Sequence, residues 1–291
     1  MKSRKVLFVS TAIILSTIAI ISVSFWAGEV KNDSAKQDSV PVYGFKIINI
    51  YPHDSTAYTQ GLVYDGKDLY ESTGLYGNST VRRVELETGR IQKIYRMPAK
   101  YFGEGMTIWK NQLVQLTWKS MVGFVYNKSN FNQIGDFYYD RDGWGITNDS
   151  QRLIMSDGSD TLYFMNPDTF SDEGLIKVKE NGKPVYQLNE LEFINGKILA
   201  NIYFDDRIAI ISPETGAITG WIDLKGLSAR ENNFGKVDVL NGIAYNAKRD
   251  TLLVTGKFWP ELFEIEIQSE DKTGRPIIWG PSSIESKKLE P

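Results

Sequence analysis

A chain of 291 residues with 42% hydrophobic and 12% aromatic side chains is long enough for one large all-β domain or two ordinary ones with a sizeable core. The lack of cysteine excludes disulfides, thiol nucleophiles and thiolate metal sites, and the single histidine, His53, disfavours zinc hydrolase and Ser-His-Asp chemistry. The net charge is −3, or 30 basic against 36 acidic residues once Lys2, Arg4 and Lys5 are set aside, and no basic stripe interleaves with aromatics, so nucleic acid is not an expected partner.

In chain order, those three cations precede an uncharged apolar run from Val6 to Trp26, 21 residues long, which reads as an export signal or an uncleaved membrane helix. Residues 1–26 are therefore expected to carry the protein out of the cytoplasm, to a periplasmic or cell-surface location. Residues 27–42 are polar and small and read as a flexible stalk, residues 43–279 as the folded domain, and residues 280–291 as a polar tail. His53 lies in Tyr-Pro-His-Asp, a turn context that predicts a solvated loop histidine. The long connection from Gly226 to Val239 suits either a lid or a partner contact.

Within the domain, apolar runs of four to seven residues are punctuated by Asp65-Gly66, Asn195-Gly196, Glu87-Thr88-Gly89 and Glu214-Thr215-Gly216, a pattern of short strands and tight turns with no amphipathic helix. Five passages share one plan and begin at Gln60-Gly61-Leu62, Glu104-Gly105-Met106, Trp144-Gly145-Ile146, Asn189-Glu190-Leu191 and Asn241-Gly242-Ile243. Their spacings of 44, 40, 45 and 52 residues each suit one four-stranded blade, so the expected fold is all-β, a five-bladed β-propeller. The fifth passage ends after its third strand, and the unassigned strand from Phe45 to Ile50 is expected to complete it and close the ring.

In a propeller the equivalent positions of the inner strands ring one central channel. The leading ring is Gln60, Glu104, Trp144, Asn189 and Asn241. A second ring, fourteen residues on, is Gly74, Trp118, Gly158 and Tyr203. In the fifth repeat a turn two residues longer, from Ala247 to Asp250, puts Lys257 sixteen residues on. Singly, each residue has a bland reading: Trp as core, Glu before Gly as a solvated turn, Lys as surface. Together they place one acid and one base in an aromatic-lined channel, which is costly unless the two interact or work.

The runs Tyr58-Thr59-Gln60-Gly61-Leu62, Glu71-Ser72-Thr73-Gly74-Leu75-Tyr76-Gly77, Phe102-Gly103-Glu104-Gly105, Leu116-Thr117-Trp118, Gly143-Trp144-Gly145, Met155-Ser156-Asp157-Gly158-Ser159, Asn189-Glu190-Leu191-Glu192 and Leu240-Asn241-Gly242-Ile243-Ala244 resemble the plant and bacterial glutaminyl-peptide cyclotransferases. The resemblance spans about Tyr43 to Ile267 and implies a five-bladed propeller unrelated to the zinc-dependent animal enzymes. It also implies conversion of an N-terminal glutamine of a peptide or protein to 5-oxoproline (pyroglutamate) with release of ammonia, with no cofactor and no metal. Glu104 matches the family's catalytic glutamate and Lys257 its active-site lysine, the latter assigned to the oxyanion or to orienting the amide. Gln60, Asn189 and Asn241 would bind the substrate amide and ammonium, and Phe102, Trp118 and Trp144 would wall the cleft. Tyr203 stands where the family commonly has Trp, which keeps the wall but adds a hydroxyl and implies a different substrate preference, and Tyr58 stands where Phe is common, a mild change at the channel mouth. The chain is expected to act as a monomer.

Two other readings compete. A calcium-dependent lactonase-type propeller would use Glu104, Asn189, Asn241 and Gln60 as oxygen ligands. A non-catalytic binding propeller would instead display its loops to a partner.

Overall fold

The computed structural model describes residues 39–231, 237–275 and 277. The expected helix over residues 1–26, most of the stalk and the tail at 280–291 lie outside them. Among the described residues no helix is long and apolar enough to cross a membrane, and the one helix is Lys225–Glu231.

The described residues form five sheets of four or five strands in a propeller-like arrangement, with a two-stranded ribbon of Lys179–Glu180 and Lys183–Pro184 beside them. The innermost strands of blades one to five are Thr59–Tyr64, Gly103–Trp109, Ile146–Asn148, Leu188–Ile194 and Leu240–Asn246. Each innermost strand touches the next, and the fifth touches the first, so the five make a ring. Burial grades outwards as the geometry requires. Blade one's second strand, Leu69–Thr73, is buried at every position, whereas its outer strand, Ile91–Arg96, alternates half-buried with exposed residues. A strand between two neighbouring blades has no solvent face, and an outer strand has one.

The core consists of five apolar clusters, and each one is a seam between adjacent blades. Tyr70 and Val81 meet Met106 and Leu113, and Val114 and Leu116 meet Ile146 and Leu153. Ile154 and Leu162 meet Leu191 and Ile198, and Leu199 and Ile208 meet Leu252 and Phe263. Finally, Leu253 and Leu262 of blade five meet Leu62 and Leu69 of blade one. The glycines that follow the leading residues of blades one, two and three belong to these seams. A Cβ on Gly105 would lie 2.6 Å from Trp144 O, and Cβ atoms on Gly61 and Gly145 would strike the main chain at Met106 and Asn189. The repeated glycine is thus the mark of one inner strand pressing on the next.

The N-terminal segment runs along the outer rim. Val42–Tyr43 pairs in parallel with Trp221 and Ile222 at the edge of blade four. Phe45–Pro52 then pairs antiparallel with Glu261–Ile267 as the outer strand of blade five. His53 follows, and it is not the solvated loop residue expected from its turn context. Its side chain is 3% exposed, with Nε2 3.0 Å from Glu71 Oε1 and Nδ1 2.6 Å from Trp259 O. Burial alone would lower its pKa, but the Glu71 carboxylate, helped by the Trp259 carbonyl and Asp54, offsets this and leaves it above the ordinary value. Glu71 also accepts from Thr59 Oγ1 at 2.7 Å, so the histidine ties the last blade to the first.

Candidate active site

The leading residues reach the channel because the pairing of their strands slips there. Between innermost and second strands the register shifts from Thr59 to Gly61, Gly103 to Met106, Leu188 to Leu191 and Leu240 to Ile243. Such bulges re-aim side chains and leave main-chain N–H groups without ladder partners. Gln60, Glu104, Asn189 and Asn241 all sit in these irregularities.

The second ring is anchored by a hydrogen bond that recurs from blade to blade. Gly74 N donates to Tyr58 O at 2.8 Å, Trp118 N to Phe102 O at 3.1 Å, Tyr203 N to Gln187 O at 2.9 Å and Lys257 N to Val239 O at 2.9 Å. In each case the acceptor lies two positions before the leading residue, and Lys257 keeps the pattern despite its longer turn. The chain then bends sharply at the channel mouth. Leu75, Phe204 and Phe258, each directly after a second-ring residue, have φ values of 87°, 67° and 63°, a cost that bulky residues bear mainly at functional sites. The two glycines of this ring seat aromatic rings, Gly74 that of Phe102 from the next blade and Gly158 that of Trp144 from its own. A Cβ on Gly158 would lie 2.6 Å from Trp144 Cζ2, and one on Gly74 would overlap the Phe102 ring.

These elements enclose a cavity of about 200 Å³ lined by Tyr58, Gln60, Leu75, Phe102, Glu104, Trp118, Trp144, Asn189, Tyr203 and Lys257. Eight of the nine residues singled out from the sequence therefore meet in one place. The exception is Asn241, which does not line the cavity. Its Nδ2 is taken by Thr59 O at 3.0 Å and Gln60 Oε1 at 3.2 Å across the seam to blade one, so it stands behind Gln60. Leu75 was not anticipated, and its signal was faint: an apolar residue next to a second-ring glycine. Tyr58 proves to be a wall of the cavity itself.

Glu104 is 4% exposed and Lys257 2% exposed. Burial pushes the Glu104 carboxyl well above the ordinary range. Lys257 opposes that rise, the Asp142 charge adds to it, and a hydrogen bond from Gln60 opposes it. Burial likewise lowers the Lys257 ammonium, against the pull of Glu104 and Asp238. The main chain of Glu104 is held by a relay in which Tyr126 donates to Gln115 at 3.1 Å, Gln115 to Ser72 at 2.7 Å, and Ser72 to Glu104 O. Trp118 Nε1 donates to Asp142 Oδ2 at 3.1 Å, which fixes that wall. Among the described residues Trp144 Nε1 and Asn189 Oδ1 are buried without a partner. Orphaned buried polar atoms beside a cavity are places for ligand groups.

Chemically, the arrangement offers an acid poised to exchange a proton, a cation beside it, one free donor and one free acceptor, all within aromatic walls. Among the described residues no three His, Asp or Glu side chains gather as a metal-binding group.

The sequence profile of the glutamine cyclotransferase family matches residues 19–267. A glutaminyl-peptide cyclotransferase from Arabidopsis thaliana is 38% identical over 281 residues, covering 95% of this chain and 88% of the relative. Among solved structures, the glutaminyl cyclase of Myxococcus xanthus superimposes with a TM-score of 0.74 at 34% identity, over 78% of this chain and 98% of that one. The RRP9 WD40 repeats superimpose with a TM-score of 0.52 at 10% identity, covering 77% of this chain and all of that one, a likeness of fold alone. A profile match over most of the domain, a relative of this identity and a cavity built from the residues of the shared runs lead to one conclusion: the chain belongs to the glutamine cyclotransferase family.

Proposed function

We propose that the chain is a glutaminyl-peptide cyclotransferase whose chemistry rests on Glu104 and Lys257, converting an N-terminal glutamine to 5-oxoproline and ammonia. The observation that carries the assignment of roles is the buried acid and buried base facing one small cavity that also holds two unpartnered polar groups. A cavity of about 200 Å³ is below the roughly 300 Å³ of a drug-sized pocket and suits a single residue.

In the proposed reaction the glutamine side chain folds back so that the α-amine nitrogen attacks the carboxamide carbon. A C–N bond forms, the carbonyl oxygen takes up negative charge, and the carboxylate form of Glu104 accepts the amine proton. Lys257 faces the oxyanion, where a cation in a low-dielectric site is most effective. Glu104 then returns the proton to the departing nitrogen, the old C–N bond breaks and ammonia leaves. A carboxyl with a raised pKa serves both steps better than an ordinary one, since it gives as readily as it takes. Trp144 Nε1–H suits the substrate carbonyl, and Asn189 Oδ1 suits an N–H of the substrate amine or amide. Phe102, Trp118 and Tyr203 hold the side chain in its folded shape, which contributes through proximity. In this scheme the proton transfers and the oxyanion are handled by side chains, so chelation is expected to leave turnover unchanged.

Three further readings belong to this proposal. The ring is closed by the N-terminal strand, supported by its pairing along blade five. The domain works as a monomer. The protein is exported and held outside the cytoplasm by residues 1–26, supported by the three cations ahead of an uncharged run; fractionation that recovers it in the cytoplasm would overturn this last point.

The central test is ammonia release from a Gln-initiated dipeptide. We expect turnover by the wild type, a loss of about 10²–10⁴-fold in Glu104→Gln, and a large loss in Lys257→Ala. Full activity of Glu104→Gln would remove Glu104 from the chemistry.

A further inference from the structure

The Lys257 ammonium has an unusual set of neighbours. Among the described residues it makes no hydrogen bond and no ion pair, although the side chain is 2% exposed. What it does touch is two aromatic faces, with Nζ 4.7 Å from the centroid of Tyr58 and 4.8 Å from that of Tyr203. The three residues come from three different blades or their entries. Tyr58 precedes blade one, Tyr203 follows the second strand of blade four, and Lys257 follows that of blade five.

Neither ring is free to turn away. Tyr58 is held edge-on by Phe102 at 6.0 Å and by Phe258 at 5.2 Å, and Tyr203 by Trp144 at 5.7 Å with Phe204 at 4.0 Å on another side. The main chains are fixed as well. Gly74 donates to Tyr58 O, Tyr203 N donates to Gln187 O, and Lys257 both donates to Val239 O and accepts from Asp238 N at 2.9 Å. Among the described residues neither tyrosine hydroxyl has a hydrogen-bond partner, so nothing but packing explains where the rings sit.

We propose that Tyr58 and Tyr203 are positioning residues for Lys257: their ring faces clasp its ammonium from two sides and keep it charged and turned toward the substrate's carbonyl oxygen. The proposal rests on the assignment of Lys257 to the oxyanion given above. Its physical basis is the ring quadrupole, whose negative face attracts a cation and gains most where the cation has lost its water. A neutral amine gains little from those faces, so the clasp counters the burial that favours deprotonation. The rings leave the ammonium's donors unspent, whereas a carboxylate in the same place would engage them. Two charged groups also face Lys257: Glu104 from the innermost strand of blade two and Asp238 from the segment entering blade five. Both favour the charged form, and the rings add to them without introducing another anion beside Glu104.

The experiment uses the full chain with Tyr58→Phe, Tyr203→Phe, Tyr58→Leu and Tyr203→Leu, and measures kcat and KM for a Gln-initiated dipeptide across pH. The Phe variants keep the ring faces and are expected to stay within about threefold of the wild type with the same alkaline limb. The Leu variants are expected to lose about tenfold in kcat, and their alkaline limb moves about one pH unit lower. Two outcomes overturn the clasp. One is Phe variants that raise KM as much as the Leu variants do, which would make the hydroxyls substrate contacts. The other is Leu variants whose alkaline limb does not move. A second readout needs no turnover: NMR of reductively ¹³C-methylated lysines follows the titration of Lys257, assigned by its disappearance in Lys257→Arg. Titration of this signal at a lower pH in both Leu variants supports the clasp, and an unmoved titration refutes it. A failure of the oxyanion assignment shows separately, as full turnover in Lys257→Ala.

Discussion

Two buried glutamates, Glu104 on the innermost strand of blade two and Glu190 on that of blade four, have contrasting surroundings. Glu104 occupies a leading position and lines the cavity, where the groups that moderate its charge are the side chains of Lys257 and Gln60. Glu190 occupies the place that is glycine in the other four repeats. Its Oε1 accepts from Leu62 N at 3.0 Å and its Oε2 from Ile243 N at 2.8 Å, so it spans from blade four to blades one and five. Burial raises both carboxyls well above the ordinary range, with Glu192 adding to the rise at Glu190. A perturbed pKa therefore does not by itself mark the active residue. Glu190 is held by main-chain donors of the innermost strands of blades one and five, and it does not line the cavity beside Glu104. Glu104 is held by movable side chains beside open space.

Substitution should pull this pair apart. Glu104→Gln is expected to lower kcat by about 10²–10⁴-fold while thermal unfolding stays near that of the wild type. Glu190→Ala is expected to do the reverse. Each main-chain N–H left buried and unpaired costs about 1–3 kcal/mol, so the melting temperature falls while activity per folded molecule is retained. A collapse of activity in Glu190→Ala at temperatures where it is fully folded would mean that the two acids work together.

The pH dependence sharpens the contrast further. In the proposed scheme turnover needs Glu104 ionised and Lys257 charged, so activity should be lost as pH falls through the raised pKa of Glu104 and as pH rises through the lowered one of Lys257. The bell in kcat/KM should be narrower than ordinary glutamate and lysine values allow. Because the Asp142 charge helps to raise Glu104, Asp142→Asn should move the acid limb to lower pH, and an unmoved limb would leave Asp142 with only its bond to Trp118.

The smallest effect concerns stability. Glu192 is pushed from 4.5 to about 8, chiefly by burial. A raised folded-state value contributes stability that is fully present below the unfolded value and is lost as pH rises through the folded one. The melting temperature should therefore decline between about pH 4.5 and 8, and Glu192→Gln should flatten that slope.

Much of this was legible in the sequence for a physical reason. Inner strands of neighbouring blades press together hard enough to require glycine at Gly61, Gly105 and Gly145, and Gly242 has a φ of 119°, so these glycines mark the register without any knowledge of the fold. Once the register is set, Glu104, Trp118 and Lys257 fall at one mouth. Glu190 was visible only as the broken glycine, and its partners Leu62 and Ile243 are 128 and 53 residues away. His53 was misread because its local turn chemistry is polar, while Glu71 and Trp259 reach it from elsewhere in the chain. Asn241 was placed correctly in its ring, but the side chain is claimed by the seam to blade one.

The N–H bond to the carbonyl two positions ahead of the leading residue, which recurs in blades one, two, four and five, also bears on how such a chain tolerates change. In blade five the hairpin between Leu240–Asn246 and Thr251–Gly256 carries two additional residues, yet Lys257 N still meets Val239 O. The extra length is absorbed at the turn remote from the mouth, and the mouth does not register it. Hairpin tips at that remote end are thus free to lengthen, vary or carry inserted epitopes, while single-residue insertions between a leading residue and its bulge would scramble the cavity.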